Sequence, residues 1–275
     1  MKTISILVGA MLGMLATGFG QSQKQRSLAI EYGYQHFARQ DQLFSPLIYN
    51  GNAPLNLGLN YTVNGKASHQ QAYLSFGLYN MSSHESYDFT ENFDELEERT
   101  LNPSSFQVIR LGYGYARKFG QNDRWHAGAR LDGQIEALFY EMGFASIFGY
   151  TTAFSLAPTF GGDFALSKKT RLSAQVAAPL VGWVSRSPYA LNDDDYIDRQ
   201  SSHNNLTTIL NLIGDGELRS LDSYRQLDLD IRARQSLSDK MALTLGWRAR
   251  WYEITEPKRV LALQNGFNIG LQLGL

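Results

Sequence analysis

The sequence predicts an all-β fold: a closed, antiparallel, up-and-down transmembrane β-barrel of about ten strands. Three observations carry that prediction. Apolar and polar residues alternate with period two from residue 28 to the last residue, which is the periodicity of a strand. The polar parity is also the glycine-rich parity. The connections between strands alternate between short and long. Helical periodicity is nearly absent.

Composition sets outer bounds. The chain has 275 residues, a formal charge of −1 and no cysteine. Near-neutral charge gives no electrostatic case for nucleic acid. Without cysteine there is no disulfide, thiol catalysis, thiolate metal site or lipidated N-terminal cysteine. The N-terminus reads as an export signal over residues 1–20. Lys2 supplies the positive start, and "ISILVGAMLGMLA" is an apolar core too short and glycine-rich to span a bilayer. Small residues Gly18 and Gly20 follow, so cleavage is expected near Gly20, leaving a single domain, 21–275, outside the cytoplasm.

Leu28–Phe37 sets Leu28, Ile30, Tyr32 and Tyr34 against Glu31 and Gly33. Leu55–Val63 sets Leu55, Leu57, Leu59, Tyr61 and Val63 against Gly58. Gln70–Asn80 sets Ala72, Leu74, Phe76 and Leu78 against Gly77. Phe106–Arg117 sets Ile109, Leu111, Tyr113 and Tyr115 against Arg110, Gly112 and Gly114. Arg124–Tyr140 carries Gly128, Arg130, Asp132 and Glu136 on one parity. Thr151–Leu166 offers Phe154, Leu156 and Phe160, and Arg171–Val184 follows as one strand. In Tyr224–Gln235, Asp228, Asp230, Arg232 and Arg234 alternate with Leu227, Leu229, Ile231 and Ala233. Met241–Tyr252 sets Leu243, Leu245, Trp247 and Trp251 against Gly246, Arg248 and Arg250. Gln264–Leu275 sets Phe267, Ile269, Leu271, Leu273 and Leu275 against Gly266, Gly270 and Gly274. Short connections fall at 64–68, 119–123, 167–170 and 237–240, and longer ones at 38–54, 81–105, 141–150, 185–223 and 253–263.

Glycine decides which face is which. In a soluble sandwich the polar face meets open water, where nothing requires small residues. Inside a small closed barrel the polar side chains converge on the axis, and glycine makes room for long neighbours. The apolar parity then faces lipid, and Tyr34, Tyr61, Tyr115, Trp247 and Trp251 form an interfacial girdle. A soluble β-sandwich or lipocalin-like barrel is the alternative.

The polar parity places a charge network in the lumen: Glu31, Arg110, Arg130, Asp132, Glu136, Asp228, Asp230, Arg232, Arg234, Arg248 and Arg250. A turn centred on Asp239 sets Asp228 opposite Arg250 and Asp230 opposite Arg248. A turn centred on Gln121 sets Arg110 opposite Asp132. Facing opposite charges are favourable, so the lumen is expected to interlock and to be blocked or very narrow, with a gated ion path as the alternative.

Two outer loops stand out. Residues 82–100 are strongly acidic and read as a solvated loop, with divalent-cation binding as the alternative. Residues 186–224 carry an acid cluster (Asp193, Asp194, Asp195, Asp198) without calcium-loop spacing, then a short helix. Its apolar stripe is Leu206, Ile209, Leu210 and Ile213, expected to lie over the barrel mouth as a lid or to contact a partner.

The signal, the meander, the loop alternation and the final strand "GFNIGLQLGL" resemble bacterial outer-membrane β-barrel proteins over residues 28–275. The resemblance implies insertion in the outer membrane of a Gram-negative cell, contact with its lipid, and termini in the periplasm. Such barrels commonly end in an aromatic residue, whereas this chain ends in Leu275. Omptin proteases share the size and strand number, but none of His36, His84 or His203 completes an Asp-x-His, and His69 and His126 sit at the short-turn end. No catalytic, cofactor or metal residues are assigned. The expected role is a non-enzymatic structural or accessory component that presents its loops to a partner protein or surface glycan. The alternatives are a narrow channel and an omptin-like or lipid-acting hydrolase.

Overall fold

The computed structural model describes residues 25–83, 104–142, 145–189, 194–202 and 204–275. The signal segment 1–20 and the acidic residues 84–100 lie outside them. Twelve strands are described: β1 (Gln25–Asp41), β2 (Ser45–Asn64), β3 (Ser68–Ser83), β4 (Ser104–Phe119), β5 (Trp125–Met142), β6 (Ala145–Ala165), β7 (Thr170–Ala177), β8 (Val181–Arg186), β9 (Glu217–Ser220), β10 (Tyr224–Ser236), β11 (Met241–Ile254) and β12 (Val260–Gly274). Each of β1–β7 and β10–β12 pairs antiparallel with its two neighbours, and β12 returns to β1, so ten strands close a barrel. Closure leaves no free strand edge, which is the condition for β-structure in hydrocarbon. Helices α1 (Asp194–Gln200) and α2 (Asn205–Gly214) lie in the long connection before β9.

The register fixes the barrel's dimensions. Stepping between paired residues from Thr152 on β6 leads through Ile135, Ile109, Phe76, Leu57, Tyr32, Ile269, Leu245, Ala233 and Leu172. The path returns to β6 at Phe164, twelve residues further on (164 less 152). A shear of that size over ten strands tilts them by about 40° and gives a backbone radius of roughly 10 Å. Side chains from opposite walls meet across such a lumen.

The strands are longer than a membrane needs. β2 has 20 residues and β6 has 21, against about 9–11 for a spanning strand. The excess lies at the long-loop end, and there the pattern inverts. In the lower part of β1, Ile30, Tyr32 and Tyr34 are exposed outward, while Glu31 and Gln35 are buried inward. Above them Phe37 is buried inward. On β3, Asn80 and Ser82 are exposed where Tyr79 and Met81 are buried. On β4, Gln107 is exposed where Phe106 and Val108 are buried. Leu138, Tyr140, Tyr252, Ile254 and Val260 complete this inner core. The reason is solvent. Lipid surrounds the lower wall and favours apolar residues outside, whereas water surrounds the upper wall and drives them inside.

Four expectations about connectivity are corrected. The chain from Arg171 to Val184 is not one strand: it divides into β7 and β8 at residues 178–180, where Pro179 has no N–H to donate to β10. Ala178 N and Leu180 N still donate to Pro158 O and Leu156 O of β6. The short strand β9 pairs with β8 in front of β10. The connection expected over 38–54 shrinks to residues 42–44, because β1 and β2 run on beyond the lipid band. Finally, Arg110 faces Gln134, and Asp132 faces Gly112. The β4–β5 turn takes positive φ at Gly120 (80°), Asn122 (61°) and Asp123 (52°), and its centre moves to Asn122, which shifts the register by two.

Candidate functional site

The inward parity of β1, β5, β10 and β11 assembles one charge network along the lumen. Asp228 stands opposite Arg250 and Asp230 opposite Arg248. Arg250 holds Asp228 through Nε (2.6 Å) and Nη2 (2.8 Å), a fork that suits a carboxylate. The same guanidinium donates to Gln134 Oε1 at 2.6 Å and lies 3.4 Å from Asp132. Arg130 bridges Asp132 and Asp228. Lower down, Arg248 donates to Asp230 (2.6 Å) and Glu31 (2.8 Å), and Arg232 lies 3.3 Å from Glu31. Arg234, near the short-turn end, donates to Gln272 at 2.8 Å.

The upper tier contains residues that the sequence did not single out. Arg39 donates to Glu136 (2.5 Å), Asp41 (2.8 Å), Tyr252 Oη (2.6 Å) and Thr151 (3.0 Å). Arg186 donates to Asp41 at 2.7 Å and to the Lys258 carbonyl at 2.5 Å. Arg39 and Asp41 lie on the inward parity that begins at Glu31. The signal was there, but it ran past the expected strand end at Phe37.

Exposure along this network is graded. The Arg39 and Glu136 side chains are 0 % exposed, Arg250 and Asp228 are 7 % and 9 %, and Arg248 and Asp230 are 23 % and 26 %. Exposure is thus lowest in the upper tier and higher at Arg248 and Asp230, although Glu31 beside them is 3 % exposed. The upper tier, together with the apolar core, closes the lumen toward the long loops. Between the tiers lies a cavity of about 60 Å³ lined by Arg110, Arg130, Asp228, Arg250, Tyr73 and Gln264, among others. Gly112 makes room there: a Cβ would lie 2.5 Å from the Tyr73 ring, so glycine lets that ring cross the lumen.

The girdle candidates all sit on the outward parity. Tyr34 and Tyr115 are exposed, and Tyr61, Trp247 and Trp251 are half-buried. Tyr34 and Trp247 lie away from the strand ends, both level with Phe267.

The expected lid takes another position. Trp183 pairs with Phe154 and Ser185 with Thr152, so both point outward from the wall. Trp183 Nε1 donates to the Ile213 carbonyl (2.8 Å) and Ser185 Oγ to the Leu212 carbonyl (2.6 Å). These carbonyls belong to the last turn of α2, which has no partners within the helix. Tyr196 of α1 bonds Tyr150 Oη at 2.7 Å, and burial raises the Tyr196 hydroxyl above the usual phenol range. The helices are thus moored on the outside of the wall, beside the mouth and not across it. Ile213 is buried there, Ile209 and Leu210 are exposed, and the Leu206 side chain lies outside those described.

Of the histidines, His36 bonds Asn52 Oδ1 at 3.0 Å on the outer face. His69 and His126 stack at 5.2 Å within the short-turn end. His84 and His203 lie outside the described residues, as does Asp193 and the Asp194 side chain. Among the described residues no group of three metal-ligating side chains converges.

A closed wall with an apolar belt outside and interlocked charge inside defines a transmembrane β-barrel of the bacterial outer-membrane type. Compared by sequence, the chain matches no family model and no curated protein. Compared by structure, it is similar to the outer membrane protease OmpT from Escherichia coli (6% identity, 92% of this chain and 96% of that one, TM-score 0.46). It is also similar to the translocator domain of the autotransporter NalP from Neisseria meningitidis (9%, 99% and 96%, TM-score 0.43). A third is Ail, the attachment invasion locus protein of Yersinia pestis (8%, 90% and 99%, TM-score 0.35).

Proposed function

We propose that the protein is a non-enzymatic, non-conducting outer-membrane barrel that acts as an accessory scaffold. It holds α1, α2 and its outer loops at the cell surface for a partner protein or a surface glycan. The observation that carries this reading is the closure of the lumen above Arg250: an apolar core and fully buried ion pairs occupy the path that a channel would need. The mooring of α2 through Trp183 and Ser185 supports it further. Rigid presentation lowers the ordering cost of a binding surface.

Two measurements test the proposal together. Purified barrel in planar bilayers is expected to give no steady unitary current; steady currents would favour the narrow channel instead. Native-membrane purification in mild detergent is expected to recover a stoichiometric companion, lost in Ile209→Asp/Leu210→Asp. Recovery of the barrel alone would contradict the scaffold reading.

A further inference from the structure

Among the described residues, one buried lumen cation meets no carboxylate; Arg234, half-buried near the short-turn end, meets Gln272 instead. Arg39, Arg130, Arg186, Arg232, Arg248 and Arg250 each meet an acid. Arg110 is 8 % exposed, and among the described residues no carboxylate lies within ion-pair distance of it. Its Nε and Nη2 have no hydrogen-bond partner. The neighbouring tiers do not relieve this. Around the cavity, Arg110, Arg130, Arg232, Arg248 and Arg250 stand against Glu31, Asp132, Asp228 and Asp230, an excess of one positive charge. Above it, Arg39 and Arg186 balance Asp41 and Glu136.

Two further buried polar groups on the cavity wall lack partners: Tyr73 Oη and the Gln264 amide. Both can donate. The carboxylates on this wall are Asp228 and Asp230: Asp228 is already engaged by Arg250, Arg130 and Gln226, and Asp230 by Arg248 and Arg232, so neither is free to turn to Arg110. A buried uncompensated guanidinium is strongly unfavourable, and buried polar groups without partners call for a ligand, a water or an ion. The register explains why the site exists. The two-residue shift at Asn122 places neutral Gln134, and not Asp132, opposite Arg110.

We propose that this cavity binds one small monovalent anion of the halide class, held by Arg110 with Tyr73 and Gln264 as neutral donors. The cavity of about 60 Å³ fits a halide with a partial water shell, since one water needs roughly 10–15 Å³ on the same measure.

The test is thermal unfolding of the detergent-solubilised full barrel in sodium bromide against sodium gluconate at constant ionic strength. A ligand bound only by the folded state raises Tm with its concentration. The expected result is a bromide-dependent rise in Tm that follows a single-site curve, persists in Arg110→Lys and is lost in Arg110→Gln. No such bromide dependence in the wild type, or the same dependence in Arg110→Gln, would overturn the proposal. Should Arg110→Gln not fold, anomalous scattering from bromide-soaked wild-type crystals decides: a peak within hydrogen-bond distance of the Arg110 guanidinium supports the site, and no peak there refutes it.

Discussion

Replacing Arg39 by methionine removes the centre of the upper tier while keeping much of the side chain's volume. The guanidinium gives hydrogen bonds to Glu136, Asp41, Tyr252 and Thr151, and its side chain is fully buried. After the change Asp41 keeps Arg186, and Glu136 keeps Tyr252 (2.6 Å) and Gln134 (2.6 Å). Glu136 is then a buried carboxylate with neutral partners only. Breaking a buried pair on one side costs about 3–5 kcal/mol. The comparison is Arg219→Met, whose partners Glu217 and Glu256 are 73 % and 65 % exposed; an exposed pair contributes about 0–1 kcal/mol. Urea unfolding in detergent micelles, followed by fluorescence of the four tryptophans, measures both, with an unchanged m-value as the check on a common unfolding reaction. Adding Glu136→Gln to Arg39→Met should recover part of the loss, because the orphaned charge goes with it. If Arg39→Met cost no more than Arg219→Met, the sealed upper tier would not exist as described.

Three further outcomes are expected. Arg250→Met and Asp228→Asn should each cost about 3–5 kcal/mol, with the double variant losing clearly less than their sum, as a double-mutant cycle in urea would read. Gly112→Ala should cost about 1–3 kcal/mol through overlap with the Tyr73 ring, and Tyr73→Ala in the same background should remove most of that penalty. Trp183→Phe removes one mooring bond worth about 1 kcal/mol. Limited proteolysis on reconstituted vesicles should then cut faster between residues 190 and 216, while the unfolding midpoint of the barrel stays unchanged.

Much of the fold was legible because lipid imposes a strict period-two code. Leu57, Leu59, Leu245 and Ile269 could face only hydrocarbon once the glycine-rich parity was assigned inward. The tight turn at Asp239 made the Asp228–Arg250 register readable. The code fails where lipid ends. Phe37, Tyr79 and Phe106 carry apolar character on the inward parity, so they looked like strand ends and not like a core. Arg39 and Asp41 lay beyond that apparent end. The β4–β5 register was missed because three positive-φ residues lengthen a turn that the sequence presents as ordinary. The position of α2 was not legible at all, since its mooring depends on hydroxyl and indole groups at Ser185 and Trp183 that no periodicity marks.

The barrel wall is inside-out within the membrane and the right way round above it, and β2 crosses that boundary. The chain lacks cysteine, so single-cysteine spin labels along residues 48–60 report one site at a time. Oxygen accessibility should peak at Leu55, Leu57 and Leu59, and a water-soluble relaxant should peak at Asn50 and Asn52, with the phase changing at the bulge near Ala53. Labels at Leu57 and Leu59 that meet neither reagent would mean that these leucines lie between packed sheets, and the barrel would be wrong.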